Sequence, residues 1–368
     1  MIQNWLSLNK IIIYNKITSK KKNFISLFKN KEIVLFYDNN LGSKKDFKDF
    51  INLIKKIAKK INRIKIYEEP TEESIKKIIK KKIKYNLVVS IGGGSTIDLA
   101  KIFTLKLNHY SLNQNSEYLI SQINNLVKNV DHISIPTTCG TGSEVTPYSV
   151  IKINNKKFTF KDEKLVPDIV ILNEKFIKYL PKKIKIPIII DALSHAYEAL
   201  TSKIANFEIL SVTSIPVIKG IIKELLSSKQ NNLNLLIYSL MAGISISNAG
   251  TSVVHAFGQS LASFIKIPHS LSICLFFQRV INNSDDKLLN KINKELGFNF
   301  QKKINRIYKK YNLNSSVFNI KGNEVYKKNL FNLCYGNVIN LRMKSVKKYP
   351  TKFNNIKIQT ILKSVILQ

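Results

Sequence analysis

The sequence predicts an α/β domain over residues 1–180 followed by an all-helical domain over residues 181–368. Three observations carry this division. Between residues 10 and 172 short β-branched runs alternate with longer amphipathic segments, strand signals fade after about residue 173, and from Ile188 onward helical spacing dominates. Alternation of this kind argues for a mostly parallel sheet covered by helices.

Taken in order, Lys10 to Tyr14, Glu32 to Tyr37, Ile64 to Tyr67, Leu87 to Ile91 and His132 to Ile135 read as strands. Lys44 to Ile61 reads as a helix, with Phe47, Phe50, Ile51, Ile54 and Ile57 on one side. Pro70-Thr71 followed by Glu72 and Glu73 is a helix start. The Asn-rich piece from Asn108 to Asn129 reads as a loop with a short helix. The domain boundary falls near Leu180-Pro181-Lys182-Lys183, and the sequence carries no internal repeat.

At 368 residues the chain is long enough for two domains with substantial cores, and 44% hydrophobic content supports a globular fold. The formal net charge of +35 would ordinarily suggest nucleic acid or an anionic surface. Yet only Arg63, Arg279, Arg306 and Arg342 are arginines, and the remaining basic residues are lysines accompanied by abundant Asn and Ile. Those three residues share A/T-rich codons, so a biased genome explains the composition more simply than a basic nucleic-acid-binding protein does. Lysine-rich faces without aromatic or Arg readers predict weak, non-specific binding at most. Cys139, Cys274 and Cys334 are widely separated and form no C-x-x-C, which points to a reducing compartment. The N-terminus mixes Trp5 and Leu6 with Lys10 and Lys16 and lacks a cleavable leader pattern, and no apolar run approaches the length of a membrane span. A cytoplasmic protein is expected.

Two strands run into glycine-rich turns. The run VVSIGGGSTIDLAK passes through Gly92, Gly93 and Gly94 into a helix opening at Ser95, with Asp98 in capping-box position. Glycines there let backbone N–H groups approach an anion, and a helix N-terminus favours a phosphate. A pyrophosphate-binding turn and a tight, well-capped connection are both open on this segment alone. The pattern is not G-x-G-x-x-G. The strand ISIP likewise runs into Thr137-Thr138-Cys139-Gly140-Thr141-Gly142-Ser143-Glu144, with Thr141 and Glu144 as a cap pattern. Two such turns at strand C-termini would face one crevice, where open α/β sheets bind nucleotides. Asp38 closes the strand EIVLFYD. An acid there can accept from a ribose 2′-hydroxyl and repel a 2′-phosphate, favouring NAD over NADP; its other reading is a turn residue.

In the helical half, Asp191 and His195 sit one turn apart in DALSH, so both side chains can reach one point. Read with His255 and His269 in VVHAFGQSLASFIKIPHS, they make one carboxylate and three imidazoles, a donor set suited to Fe²⁺ or Zn²⁺. The competing reading is a solvated face, because Ile189, Leu193, Ala196 and Leu200 form an apolar stripe opposite Asp191, His195, Glu198 and Ser202. From Gln230 to Ile265 the chain has no charged residue, which predicts burial. A buried His255 needs a partner, and either a metal or a structural hydrogen bond would serve.

In order along the chain, GGGSTIDLAK, IPTTCGTGSEVT, PDIVILNEKFIKYLP, DALSHAYEAL and the VVH to PHS segment resemble the iron-activated (group III) alcohol dehydrogenases over most of residues 30 to 275. The resemblance implies an N-terminal Rossmann-like dinucleotide-binding domain and an all-α metal-binding domain, with the active site in the cleft between them, an architecture shared with dehydroquinate synthases. It implies Asp191, His195, His255 and His269 as ligands of Fe²⁺ or Zn²⁺. It implies NAD, with NADP as the other option, contacted by Asp38, Gly93, Gly94, Ser95, Asp98, Thr137, Thr138, Tyr148 and Lys157. Hydride transfer between the nicotinamide and a small alcohol or aldehyde follows, in a homodimer. Two departures stand out: Gln259 occupies a position where many members carry a second His, and Ser270 follows Pro268-His269 in place of Gly. Gln259 is therefore expected to orient substrate or nicotinamide without relaying protons. The TPYSVIKINNKKF segment looks like aldehyde reductases of phosphonate biosynthesis and suggests a phosphonoacetaldehyde-like substrate. The enzymatic alternative is a sugar-phosphate cyclase of the dehydroquinate-synthase type, whose metal set includes Glu.

Overall fold

A computed structural model describes residues 10–15, 20–67, 69–105, 127–154, 156–314 and 320–367. Most of the Asn-rich piece expected from Asn108 to Asn129 lies outside the described residues, as do Trp5 and Leu6. The chain divides into two compact units, Asn4–Leu180 and Pro181–Gln368.

The described part of the first unit contains a six-stranded sheet built from β1 (Lys10–Ile13), β2 (Glu32–Asp38), β3 (Lys60–Ile66), β4 (Leu87–Gly92), β5 (Asp131–Pro136) and β8 (Ile169–Leu172). Its order is β1-β8-β5-β4-β2-β3, and every pairing is parallel. All six residues of β4 are buried, as a strand covered on both faces requires. One face packs on α1 (Lys22–Ser26) and α2 (Lys45–Lys55) through Phe24, Phe47, Phe50 and Ile54. The other packs on α3 (Glu72–Ile79), α4 (Gly94–Ile102) and the antiparallel hairpin β6 (Tyr148–Ile153) to β7 (Lys156–Lys161). The expected start of α3 forms: Thr71 Oγ1 accepts from Ser74 N while Ser74 Oγ accepts from Thr71 N.

The expected helix from Lys44 to Ile61 is shorter in the structure. It ends at Lys55, and from Lys60 the chain is β3, paired along all seven residues of β2. Ile57, Ile61 and Ile64 continue a helical spacing and so disguise the change. Pairing with the open edge of β2 supplies ladder hydrogen bonds that outweigh this local preference. The hairpin β6–β7 and strand β8 also go beyond the strands expected from the sequence. From β2 the chain passes to β3 on one side and then to β4 on the other. The topological switch point therefore lies at the carboxyl ends of β2 and β4, where Asp38 and Gly92 stand.

The second unit is helical among the described residues. Its helices include α6 (Lys182–Leu200), α7 (Phe207–Leu226), α8 (Asn232–Ala249), α9 (Val253–Ala262) and α10 (His269–Asn282); the four-residue α5 (Glu174–Ile177) precedes them in the first unit. Every residue of α6 from Ile186 to Leu200 is buried. The solvated face weighed for Asp191, His195 and Glu198 is therefore absent, because α7, α8 and α10 all pack against α6. The uncharged run from Gln230 forms α8 and α9, with a 98° bend between them. Gly250 makes the bend, since its φ of 67° is open to glycine at little cost. No single described helix is long and apolar enough to cross a membrane.

Close packing of α7 on α8 depends on Gly220, where a Cβ would lie 2.2 Å from Cζ of Tyr238. Gly220→Ala is expected to lower stability by about 1–3 kcal/mol, because the half-buried Tyr238 ring has to shift from its contact with Gly220. A lower urea midpoint with unchanged slope checks this.

Candidate metal centre and nucleotide turn

Burial fixes the chemistry of α6. Asp191 is fully buried and His195 nearly so, one turn apart on a helix whose other sides are also covered. His255 comes from α9 and His269 from the first position of α10. Asp191, His255 and His269 each offer one ligand atom within 4.8 Å of the others. Nε2 of His255, His195 and His269 lie 3.4, 3.7 and 4.0 Å from Asp191 Oδ1. The His195 ring stacks on that of His255 with centroids 4.6 Å apart. The four residues singled out in the sequence thus gather around one carboxylate oxygen.

Neither oxygen of Asp191 nor Nε2 of His255 has a hydrogen-bond partner among the described residues, although all three atoms are buried. Leaving such atoms unsatisfied is costly, and a divalent cation is the group that would satisfy a carboxylate and imidazoles together. Burial pushes the His195 imidazole down to about 4, so it stays neutral, as a ligand must. Burial works against charge on Asp191 too, but the three imidazoles outweigh it and hold the carboxyl at about 2. His269 keeps 38% of its side chain exposed, leaving the set open on one side.

One partner was not assigned a role from the sequence. Glu198, which the competing solvated-face reading included, is fully buried, and its Oε2 lies 2.5 Å from Nδ1 of His255. A carboxylate only accepts, so Nδ1 carries the hydrogen and Nε2 is the atom presented toward Asp191. Oε1 of Glu198 accepts from Ser252 Oγ at 3.0 Å, Val254 N at 2.7 Å and His255 N at 3.3 Å, which satisfies the start of α9. Without an ion, desolvation works against charge on His255, but Glu198 and Asp191 overcome it and push the imidazole up to about 9. The spacing of Asp191, His195 and Glu198 along one face was the signal available for finding Glu198.

Gln259 follows His255 by one turn of α9 and is half-buried. Its Oε1 accepts from Arg342 Nη1 at 2.5 Å, a contact the sequence reading did not anticipate.

In the first unit, the ends of β2, β4 and β5 converge. Asp38 Oδ2 accepts from Gly93 N at 3.0 Å and from Thr137 Oγ1 at 3.3 Å, and Oδ1 accepts from Thr96 Oγ1. Asp38 therefore braces the glycine turn, and burial raises its carboxyl above the ordinary value. A Cβ on Gly92 would lie 2.4 Å from Asp38 Oδ1, and one on Gly93 3.1 Å from Thr138 Cγ2. Gly93 caps α4, so the N–H groups of Gly94 and Ser95 belong to the open first turn of a nine-residue helix. The cradle fits a phosphate: backbone donors, a helix N-terminus and no room for side chains.

The side chains of two other expected contacts, Asp98 and Lys157, are engaged elsewhere. The helix opens at Gly94 and not at Ser95, so Asp98 is its fifth residue and forms no capping box. Instead Asp98 accepts from Ser143 Oγ at 2.5 Å and from Val150 N at 3.0 Å, joining α4 to the second turn and β6. Tyr148 begins β6, and its carbonyl accepts from Lys101 Nζ at 2.5 Å. Lys157 pairs with Glu69 at 2.6 Å near the turn of the hairpin, whereas Tyr148 stands at the opposite end opposite Lys161. Lys157 makes no described bond to the glycine turn. Lys101, passed over in the sequence, is fully buried; desolvation pushes its amine down to about 8, and it also bonds Ser143 Oγ and the Thr146 carbonyl.

Comparison with known proteins follows the same division. The family described as iron-containing alcohol dehydrogenase matches residues 9–174, and the C-terminal part of the Fe-containing alcohol dehydrogenase family matches residues 186–328. The 4-hydroxybutyrate dehydrogenase of Clostridium kluyveri is 36% identical over 231 residues, covering 60% of this chain and 61% of that protein. The matched part thus spans less than two thirds of that relative's length. An iron-containing alcohol dehydrogenase from Thermotoga maritima superposes with a TM-score of 0.79 at 21% identity, covering 100% of both chains. A sulfoacetaldehyde reductase from Bifidobacterium kashiwanohense, solved with NAD⁺, gives 0.79 at 17% identity, covering 100% of this chain and 99% of that one. At these identities the structural matches show the fold.

Proposed function

The chain belongs to the iron-containing alcohol dehydrogenase family, and from that premise we propose that it interconverts a small alcohol and its aldehyde by hydride transfer with NAD(H). The gathering of Asp191, His195, His255 and His269 around one buried carboxylate oxygen carries the proposal. These four residues would hold Fe²⁺ or Zn²⁺. When bound, the ion supplies Lewis acidity toward the substrate oxygen, and the nicotinamide supplies or receives the hydride.

The protein's own part is positioning. Glu198 fixes the His255 ring, and burial keeps His195 neutral. The turn from Gly92 to Ser95, braced by Asp38, offers backbone donors to the dinucleotide phosphates. Thr137 and Thr138 line that turn and would orient the nicotinamide end. Gln259 has no ionisation near neutral pH, so water or the cofactor ribose carries the proton. The acid at the end of β2 supports NAD over NADP. One relative is named for 4-hydroxybutyrate and one for sulfoacetaldehyde, and with the phosphonoacetaldehyde-like substrate suggested by the hairpin sequence they support a short carbon chain. The reading includes a homodimer acting on a small molecule and not on nucleic acid, in a reducing cytoplasm compatible with three widely separated, buried cysteines.

The test is aldehyde-dependent oxidation of NADH and of NADPH after anaerobic loading with Fe²⁺ or Zn²⁺. Faster turnover with NADH is expected. Preference for NADPH contradicts the placement of Asp38 near the ribose, and absence of turnover with both across short aldehydes contradicts the dehydrogenase reading.

A further inference from the structure

Gln259 leaves α9 on the same side as the candidate ligand His255, one turn further along. It is held by Arg342, whose Nη1 donates to Gln259 Oε1 at 2.5 Å and whose Nε donates to Asn337 Oδ1 at 3.3 Å. Both partners are neutral amides. Among the described residues no carboxylate pairs with Arg342, although the side chain is half-buried. Placing a partly desolvated guanidinium beside neutral partners alone is costly, and its remaining N–H donors suit a planar oxyanion. The residue also closes a π-helical turn, Val338–Arg342, an irregularity frequently found at functional sites. Composition adds a further indication: in a chain whose basic residues are otherwise almost all lysine, a guanidinium stands at this position.

We propose that Arg342, aimed by Gln259, binds a carboxylate at the far end of the substrate from the reacting carbon. The preferred substrates are then short ω-hydroxy acids and the corresponding semialdehydes. This deepens the dehydrogenase reading above and rests on it. Gln259 acts as a positioning residue: its oxygen accepts from Nη1 while Asn337 accepts from Nε, and the Nη2 donors remain for the anion.

The test compares wild type with Arg342→Ala, Arg342→Gln and Arg342→Lys, using ion-loaded protein and two aldehydes, 4-oxobutanoate and butanal. Ion content and Tm are measured for each variant, and calorimetry follows 4-hydroxybutyrate binding. Loss of the guanidinium is expected to lower the kcat/KM ratio of 4-oxobutanoate to butanal by about 10- to 100-fold, chiefly through KM for the charged aldehyde. Arg342→Lys retains part of the preference, since it keeps the charge and loses the fork. If Arg342→Ala proves unstable, Arg342→Gln carries the comparison. An unchanged ratio in a folded variant with full ion content overturns the proposal. Wild type that reduces neither aldehyde refutes the dehydrogenase reading instead. Calorimetry then decides the anion site alone, and equal 4-hydroxybutyrate affinity in wild type and Arg342→Gln overturns it.

Discussion

Asp191→Ala is expected to abolish ion retention and to cut turnover by about three orders of magnitude or more, because Lewis-acid stabilisation of developing charge is worth several kcal/mol. The reason lies in how the other ligands are arranged. Nε2 of His255, His195 and His269 all face Asp191 Oδ1 at 3.4 to 4.0 Å, so this one side chain is the point on which they converge. Removing it leaves imidazoles from α6, α9 and α10 with no anionic member to balance a divalent charge. Ion analysis and turnover together check this. A variant that keeps both ion and turnover places the metal elsewhere.

Glu198→Ala should produce the largest loss of stability. Four donors, Ser252 Oγ, the backbone N–H groups of Val254 and His255, and Nδ1 of His255, converge on its carboxylate. All are buried, and breaking a buried, charged hydrogen-bonded group by removing one partner typically costs about 3–5 kcal/mol. The start of α9 loses its acceptor, and the His255 ring loses what fixes its tautomer. Glu198→Gln retains an acceptor oxygen and most of the volume, so it separates folding from ligation. That variant is expected to fold, with ion affinity reduced by about 10- to 100-fold, the usual effect of removing a histidine ligand's carboxylate partner. Urea melts and competition with a chelator measure the two effects. Wild-type ion affinity in Glu198→Gln would show that the carboxylate serves packing alone.

The parts of the fold that were legible in the sequence are those where one local signal prevails. β2, β4 and β5 are β-branched runs ending at Asp38, at glycine and at Pro136, and they emerge within a residue or two of expectation. The misreading at Lys60 arose because Ile57, Ile61 and Ile64 satisfy a helical period while the edge of β2, distant in sequence, demands a strand. The polar residues of α6 were ambiguous for a related reason. A polar stripe on a helix reads the same whether it faces water or a buried centre, and only the packing of α7, α8 and α10 distinguishes them. Glu198, Lys101 and Arg342 each take their meaning from partners far along the chain, from 42 residues away for Lys101 and Ser143 to 83 for Arg342 and Gln259. Spacing arguments reach one or two helical turns and cannot register such contacts. Asp98 illustrates the limit within a motif, since shifting the helix start to Gly94 turned an expected cap into a buried bridge to Ser143 and Val150.

The central claim is that the four-residue cluster is a working metal centre. The most direct measurement strips the protein with a chelator under anaerobic conditions and then titrates Fe²⁺ or Zn²⁺ back, recording bound ion and aldehyde reduction at each step. The account predicts no turnover in the stripped protein and recovery in proportion to bound ion, saturating at one ion per chain. Full turnover in protein shown to be free of metal, or recovery that saturates with the cluster disabled by His255→Ala, would contradict it.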